Sequence, residues 1–120
     1  MEKSVLIGGS GGQGVLFLGK LIATVAMLKG KNVTWFPSYG AEVRGGTANC
    51  SVIISEESIG SPIITNPDIL IIMNCPSLKK FIGRLKHKGL LFYDVSLINK
   101  DNCKIKDFDN LAKNFDIIEV

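Results

Sequence analysis

Residues 4–36 read SVLIGGSGGQGVLFLGKLIATVAMLKGKNVTWF, and this stretch decides the fold. Ser4 to Gly8 has the apolar character of a short buried strand, and the loop Gly9 to Gly14 that follows contains Gly9, Gly11, Gly12 and Gly14. From Val15 to Lys29 the residues Leu18, Leu21, Ile22, Val25 and Leu28 recur at helical spacing, with Gly30 as the stop signal. Lys20 and Thr24 form a narrow polar strip on this helix, because Val15, Leu16, Phe17, Ala23, Ala26 and Met27 fill most of the remaining circumference. Such a helix expects burial on more than one side. Gly19 in its interior costs about 1 kcal/mol relative to Ala, which is best understood if the helix closely approaches a strand. Lys31 to Phe36 is a second strand, so strand, helix and strand predict a right-handed crossover with the two strands parallel.

The rest of the chain extends this α/β pattern. Pro37 to Thr47 is a long loop rich in glycine and charge, of the kind that carries function in a compact domain. Ala48, Cys50, Val52 and Ile54 then alternate with Asn49, Ser51, Ile53 and Ser55 as a strand with one apolar face. Ser61-Pro62 and Asn66-Pro67 favour an extended surface passage before a buried strand at Ile69 to Met73. Pro76 starts a helix with Leu78, Phe81, Ile82 and Leu85 as its stripe, Gly89 leads into a strand at Leu90 to Val95, and a helix at Phe108 to Asn114 precedes a last strand at Ile117 to Val120. The expectation is one domain over residues 1–120, a three-layer α/β/α sandwich with a mostly parallel mixed sheet of Rossmann-like type.

Composition excludes several classes. With 14 Lys and Arg against 11 Asp and Glu, the net charge is +3 and no basic run tracks a nucleic-acid backbone. Apolar stretches break well before the roughly 18 residues of a membrane span, and Met1 to Gly12 lack a signal-peptide pattern, so a cytoplasmic protein is expected. Cys50, Cys75 and Cys103 are odd in number and widely separated, which suits three small buried hydrophobes better than a disulfide framework or a metal knuckle. No iron–sulfur cluster is expected here, and His87, between Lys86 and Lys88, reads as a solvated loop residue.

In an open α/β sheet, ligands gather beyond the carboxyl ends of the parallel strands. Gly9 to Gly14, Trp35 to Thr47 and Asn74 with Cys75 leave strands at that edge, and Thr47 to Asn49 join it if their strand runs antiparallel. Glycines there permit close backbone approach, and the amides opening the following helix attract anionic oxygen, so a phosphate is the natural guest. The competing reading is a tight strand-to-helix turn with no ligand. Gly9-x-Gly11-x-x-Gly14 matches a dinucleotide fingerprint, but the second strand ends Thr34-Trp35-Phe36 without the acid that would hold a ribose, which weighs against NAD. Arg44 either clamps a carboxylate or phosphate or pairs with Glu42 at the surface. Trp35, Phe36 and Tyr39 read as packing or interface residues ahead of a stacking platform. No nucleophile with a base, paired carboxylates or metal cluster can be assembled, so no catalytic or metal-binding residue is assigned.

The segments GGSGGQGV, from Gly8 to Val15, and WFPSYGAEVRGGTANCSVIIS, from Trp35 to Ser55, are specific. With Ser61-Pro62, Pro67-Asp68, Met73-Asn74 and Pro76-Ser77-Leu78 they resemble the gamma subunit of 2-oxoacid:ferredoxin oxidoreductases, most closely the 2-oxoglutarate type, with the branched-chain type as a near relative. Ala41 stands where many members have proline, and gamma subunits usually continue beyond Val120, so the chain is expected to be short at its C-terminus. The resemblance implies the fold of pyruvate:ferredoxin oxidoreductase domain III and an oxidoreductase that turns a 2-oxoacid into its acyl-coenzyme A while reducing ferredoxin. It also implies thiamine diphosphate and iron–sulfur clusters on partner subunits, with alpha and beta subunits as partners and a delta subunit as a further candidate, and no cofactor bound by this chain alone. Coenzyme A would be a shared substrate at a rim built from Gly9, Gly11, Gly12, Gln13, Gly14, Glu42, Arg44, Gly45, Gly46, Thr47, Asn49 and Asn74. The isolated chain is expected to be inactive and prone to self-association.

Overall fold

The computed structural model describes residues 2–10, 14–38, 48–61, 63–96, 98, 103 and 115–119. In chain order these form β1 (Glu2–Gly9), α1 (Val15–Leu28), β2 (Asn32–Ser38), β3 (Ala48–Ser55), β4 (Ile69–Ile72), α2 (Cys75–Phe81), β5 (Leu90–Tyr93) and β6 (Asp116–Glu119). Among the described residues the strands make one six-stranded sheet in the order β2-β3-β1-β4-β5-β6. β1, β4, β5 and β6 pair in parallel, whereas β3 is antiparallel to both β1 and β2. β1 and β2 therefore run the same way, as the crossover pattern predicts, but with β3 inserted between them.

The alternation of β1 divides the core. Val5 and Ile7 pack with Val15, Ala23, Cys50 and Val52 on the α1 side, while Leu6 joins Leu70, Ile72, Leu78, Phe81 and Leu91 on the α2 side. Helices thus cover opposite faces of the sheet, the three-layer arrangement expected from the sequence.

α1 is built inside out. Its buried residues are Val15, Gly19, Ala23 and Ala26, small side chains that let the backbone lie close to β3. Its large residues Phe17, Leu21, Val25 and Leu28, spaced along one helix face, are 48–83% exposed. α2 starts with Asn74 as its cap, whose Oδ1 accepts the Ser77 amide, and has Pro76 in its first turn. After Phe81 it tightens into a 3₁₀ turn at Ile82–Arg84, so the single long helix suggested by the Leu78 to Leu85 stripe is broken. The expected helix at Phe108 to Asn114 lies outside the described residues.

One sequence expectation is corrected. Cys75 and Cys103 are not separate buried thiols but a disulfide with a Cα–Cα distance of 5.5 Å. The β4-to-α2 junction and the chain beyond β5 both emerge at the carboxyl edge of the sheet, a proximity that cysteine parity and spacing do not reveal. Cys50 alone fits the original reading, free and buried.

Candidate functional site at the carboxyl edge of the sheet

The strand register brings four residues of the expected rim to one end of the sheet. Gly9, the last residue of β1, lies opposite Ala48, the first of β3, and Asn49 is flanked by Gly8 on one side and Ser38 on the other. β4 continues beyond Ile72 with the Met73 amide donating to the Gly8 carbonyl at 2.9 Å, which delivers Asn74 to the same edge. The antiparallel direction of β3, a condition in the sequence reading, is observed. Of the expected site residues, Gly9, Gly14, Asn49 and Asn74 are thus placed along the sheet's carboxyl edge or at the mouth of α1. Gly11, Gly12, Gln13, Glu42, Arg44, Gly45, Gly46 and Thr47, like Tyr39, lie outside the described residues.

The two helix mouths differ. Asn74 caps α2 with its side chain, whereas the N-cap of α1 is Gly14, which has no side chain to give and lies in the left-handed region at φ 76° and ψ 20°. The Gly14 carbonyl accepts the first intrahelical bond, from the Leu18 amide at 2.9 Å. Among the described residues, nothing lies within 4 Å of a Cβ built on Gly14. First-turn amides that a glycine N-cap cannot satisfy favour negatively charged oxygen.

Neighbouring residues have structural tasks. Asn49 is buried on the face shared with Gly8, and a Cβ on Gly8 would come within 3.0 Å of the Ser77 Cβ, so the glycine lets α2 rest on β1. Trp35 lies against Gly19 of α1, the packing role expected of it. Asp94, which sequence reasoning passed over, ends β5 at the same edge, and its carboxylate accepts bonds from the Ser96 amide and hydroxyl. A lone acid at a strand end offered no signal.

Two cavities, of about 290 and 270 Å³, open at the opposite edge, around Ser4, Asp68 and Lys86 and around Lys3, His87 and Lys88. The Asp68 carboxylate there accepts from the Ser4 amide at 2.9 Å and from Lys86 Nζ at 2.8 Å. Burial raises its pKa, but the Lys86 and Ser4 hydrogen bonds outweigh this and leave it below the ordinary carboxylate value. These contacts staple the starts of β1, β4 and β5 together. Among the described residues no group of three or more potential metal ligands occurs, and no helix is long and apolar enough to cross a membrane.

This fold and rim define an open doubly wound α/β domain whose loops meet beyond the carboxyl ends of its parallel strands. Residues 4–119 match the pyruvate ferredoxin/flavodoxin oxidoreductase family, and the chain belongs to it. It is 45% identical over 95 residues to the ketoisovalerate oxidoreductase subunit VorA of Methanothermobacter marburgensis, covering 79% of this chain and 20% of that one. It is 35% identical over 98 residues to the 2-oxoglutarate synthase subunit KorC of Archaeoglobus fulgidus, covering 82% and 52%. The gamma subunit of a keto/oxoacid ferredoxin oxidoreductase from Geobacter sulfurreducens superposes with a TM-score of 0.78 at 27% identity, over 99% of this chain and 60% of that one. In fold alone, the chain also resembles a 2-oxoglutarate:ferredoxin oxidoreductase from Magnetococcus marinus solved with 2-oxoglutarate, coenzyme A and succinyl-CoA, at a TM-score of 0.80 and 19% identity over 99% of this chain and 20% of that one. The chain spans about half the length of the KorC relative and a fifth of VorA.

Proposed function

We propose that the chain acts as a non-catalytic gamma-type subunit of a 2-oxoacid:ferredoxin oxidoreductase and that its rim helps seat the pyrophosphate of coenzyme A. The observation that carries this reading is the glycine N-cap of α1, Gly14, at the sheet edge where Gly9, Asn49 and Asn74 also lie. The first-turn amides bind and orient anionic oxygen, and Gln13, Arg44 and Asn49 are the polar side chains assigned to the ligand. Thiamine diphosphate and the iron–sulfur clusters, held by partner subunits, supply the decarboxylation and the electron path to ferredoxin. For the oxoacid we favour 2-oxoglutarate, with ketoisovalerate as the competitor, since relatives named for each are similar to this chain. A cytoplasmic location goes with this partnership.

Calorimetry on the assembled complex tests the ligand assignment. Arg44→Ala and Gly12→Val should each weaken coenzyme A binding, and unchanged affinity in both would remove it. A second reading, a docking module without ligand contact, draws on the outward apolar face of α1. Under it the same two substitutions break assembly on a sizing column but leave coenzyme A affinity intact in whatever complex survives.

A further inference from the structure

We propose that the Cys75–Cys103 pair is a thiol–disulfide exchange site for dithiols, entered through Cys75 alone. The bond joins residues 28 apart in sequence. Both cysteines pack against one apolar cluster, but they differ in exposure. Cys75 is half-buried, the first residue of α2 and the neighbour of Asn74. Cys103 is 1% exposed, within the cluster of Leu78, Phe81, Leu91 and Ile98. A thiolate must reach a disulfide sulfur directly, so burial shields Cys103 and leaves Cys75 Sγ as the point of attack.

The exchange balances with a dithiol as reductant. One thiolate of the reagent attacks Cys75 Sγ, the S–S bond breaks, and the electron pair leaves on Cys103 Sγ, which takes up a proton. The reagent's second thiol then attacks its own sulfur in the mixed disulfide and releases Cys75 as a thiol. The reagent is oxidised to a disulfide by two electrons, and the protein gains two thiols. Attack at the more exposed Cys75 leaves the mixed disulfide there, with the buried Cys103 as the released thiol. Ile98 and Cys103 are already seated in the cluster by packing, so the reduced domain stays folded. Cys50 takes no part: it lies in the other core cluster, and its thiol donates to the Val15 carbonyl at 3.3 Å.

The test uses the full chain, air-oxidised. Glutathione is added, the mixture is acid-quenched and alkylated, and adducts are mapped by mass spectrometry; dithiothreitol with circular dichroism follows complete reduction. The expected result is a glutathione adduct on Cys75 and none on Cys103, with two new thiols after dithiothreitol and an unchanged fold. In folded single variants, Cys75 of Cys103→Ser should be alkylated on the order of ten times faster than Cys103 of Cys75→Ser, following exposure. Three free thiols in the oxidised protein, an adduct on Cys103, equal alkylation rates, or reduction only on unfolding would each overturn the proposal. Adduct mapping on the unsubstituted chain decides it should either variant fail to fold.

Discussion

The sulfur of Cys50 occupies the space that a methyl group on Gly19 would need: a Cβ built on Gly19 overlaps Cys50 Sγ and comes within 3.0 Å of the Trp35 indole nitrogen. At this point the α1 layer packs one glycine against one thiol.

Gly19→Ala should destabilise the domain. The helix gains about 1 kcal/mol in propensity, but overpacking of this kind costs about 1–3 kcal/mol. Because the overlap involves a sulfur in a filled core, a net loss of about 1–2 kcal/mol is expected in urea unfolding. Cys50→Ala opens the space, so the double variant should lose less than the sum of the two single changes. Strict additivity would show that the contact is not the cause.

Cys50 also sets an alkaline limit. Burial pushes its thiol from 9.0 up to about 11, against the opposing hydrogen bonds of Trp35 and Gly19. The folded state holds this proton more tightly than the unfolded state, so the contribution is fully present below about pH 9 and is lost as the pH rises toward about 11. Stability of the unsubstituted chain should fall more steeply over that window than stability of Cys50→Ala. Parallel curves would refute this.

Much of this architecture was legible because it is local. The helix from Val15 and the price of Gly19 both follow from short-range pattern, and the need for close approach at Gly19 is met by Cys50 and Trp35. The outward stripe of Phe17, Leu21, Val25 and Leu28 was visible as an excess of apolar residues around one helix. Long-range pairing was not legible. A strand, helix and strand fix relative direction but not adjacency, so β3 entering between β1 and β2 had no sequence signal. The Cys75–Cys103 bond depends on two connections meeting at one edge, and the capping task of Asn74 depends on where α2 begins. At the rim, the sequence could place Gly9, Asn49 and Asn74 at one edge because parallel strands share their carboxyl ends, while side-chain duties such as that of Asp94 depend on local turns.

At the opposite edge, Asp68→Ala should cost about 1–3 kcal/mol, because it leaves the buried Ser4 amide without its acceptor and removes the partner of Lys86. The carboxyl pKa is lowered in the fold, so its contribution is present above the ordinary value of 3.8 and disappears as the pH falls through the lower folded value. Acid unfolding of the unsubstituted chain should therefore show a pH-dependent step that Asp68→Asn reduces. An identical acid transition in that variant would remove Asp68 from the account.

The outward face of α1 yields the last prediction. Its inner face is made of Val15, Gly19, Ala23 and Ala26, so the helix is already docked through small residues, and Phe17 and Leu28, at 70% and 83% exposure, add little to that packing. Trp35 of β2, 38% exposed, lies beside the same helix and extends the apolar surface. Contiguous apolar patches beyond a few hundred Å² mark interaction sites. Leu21→Glu with Leu28→Glu should therefore change the unfolding free energy of the isolated chain by less than about 1 kcal/mol, as surface substitutions do. The same pair should abolish self-association in light scattering and block co-elution with the catalytic subunits of the complex. If both assemblies persist, the stripe is not a docking face; if the isolated chain unfolds instead, the exposed residues contribute to the core in a way their position on the helix contradicts.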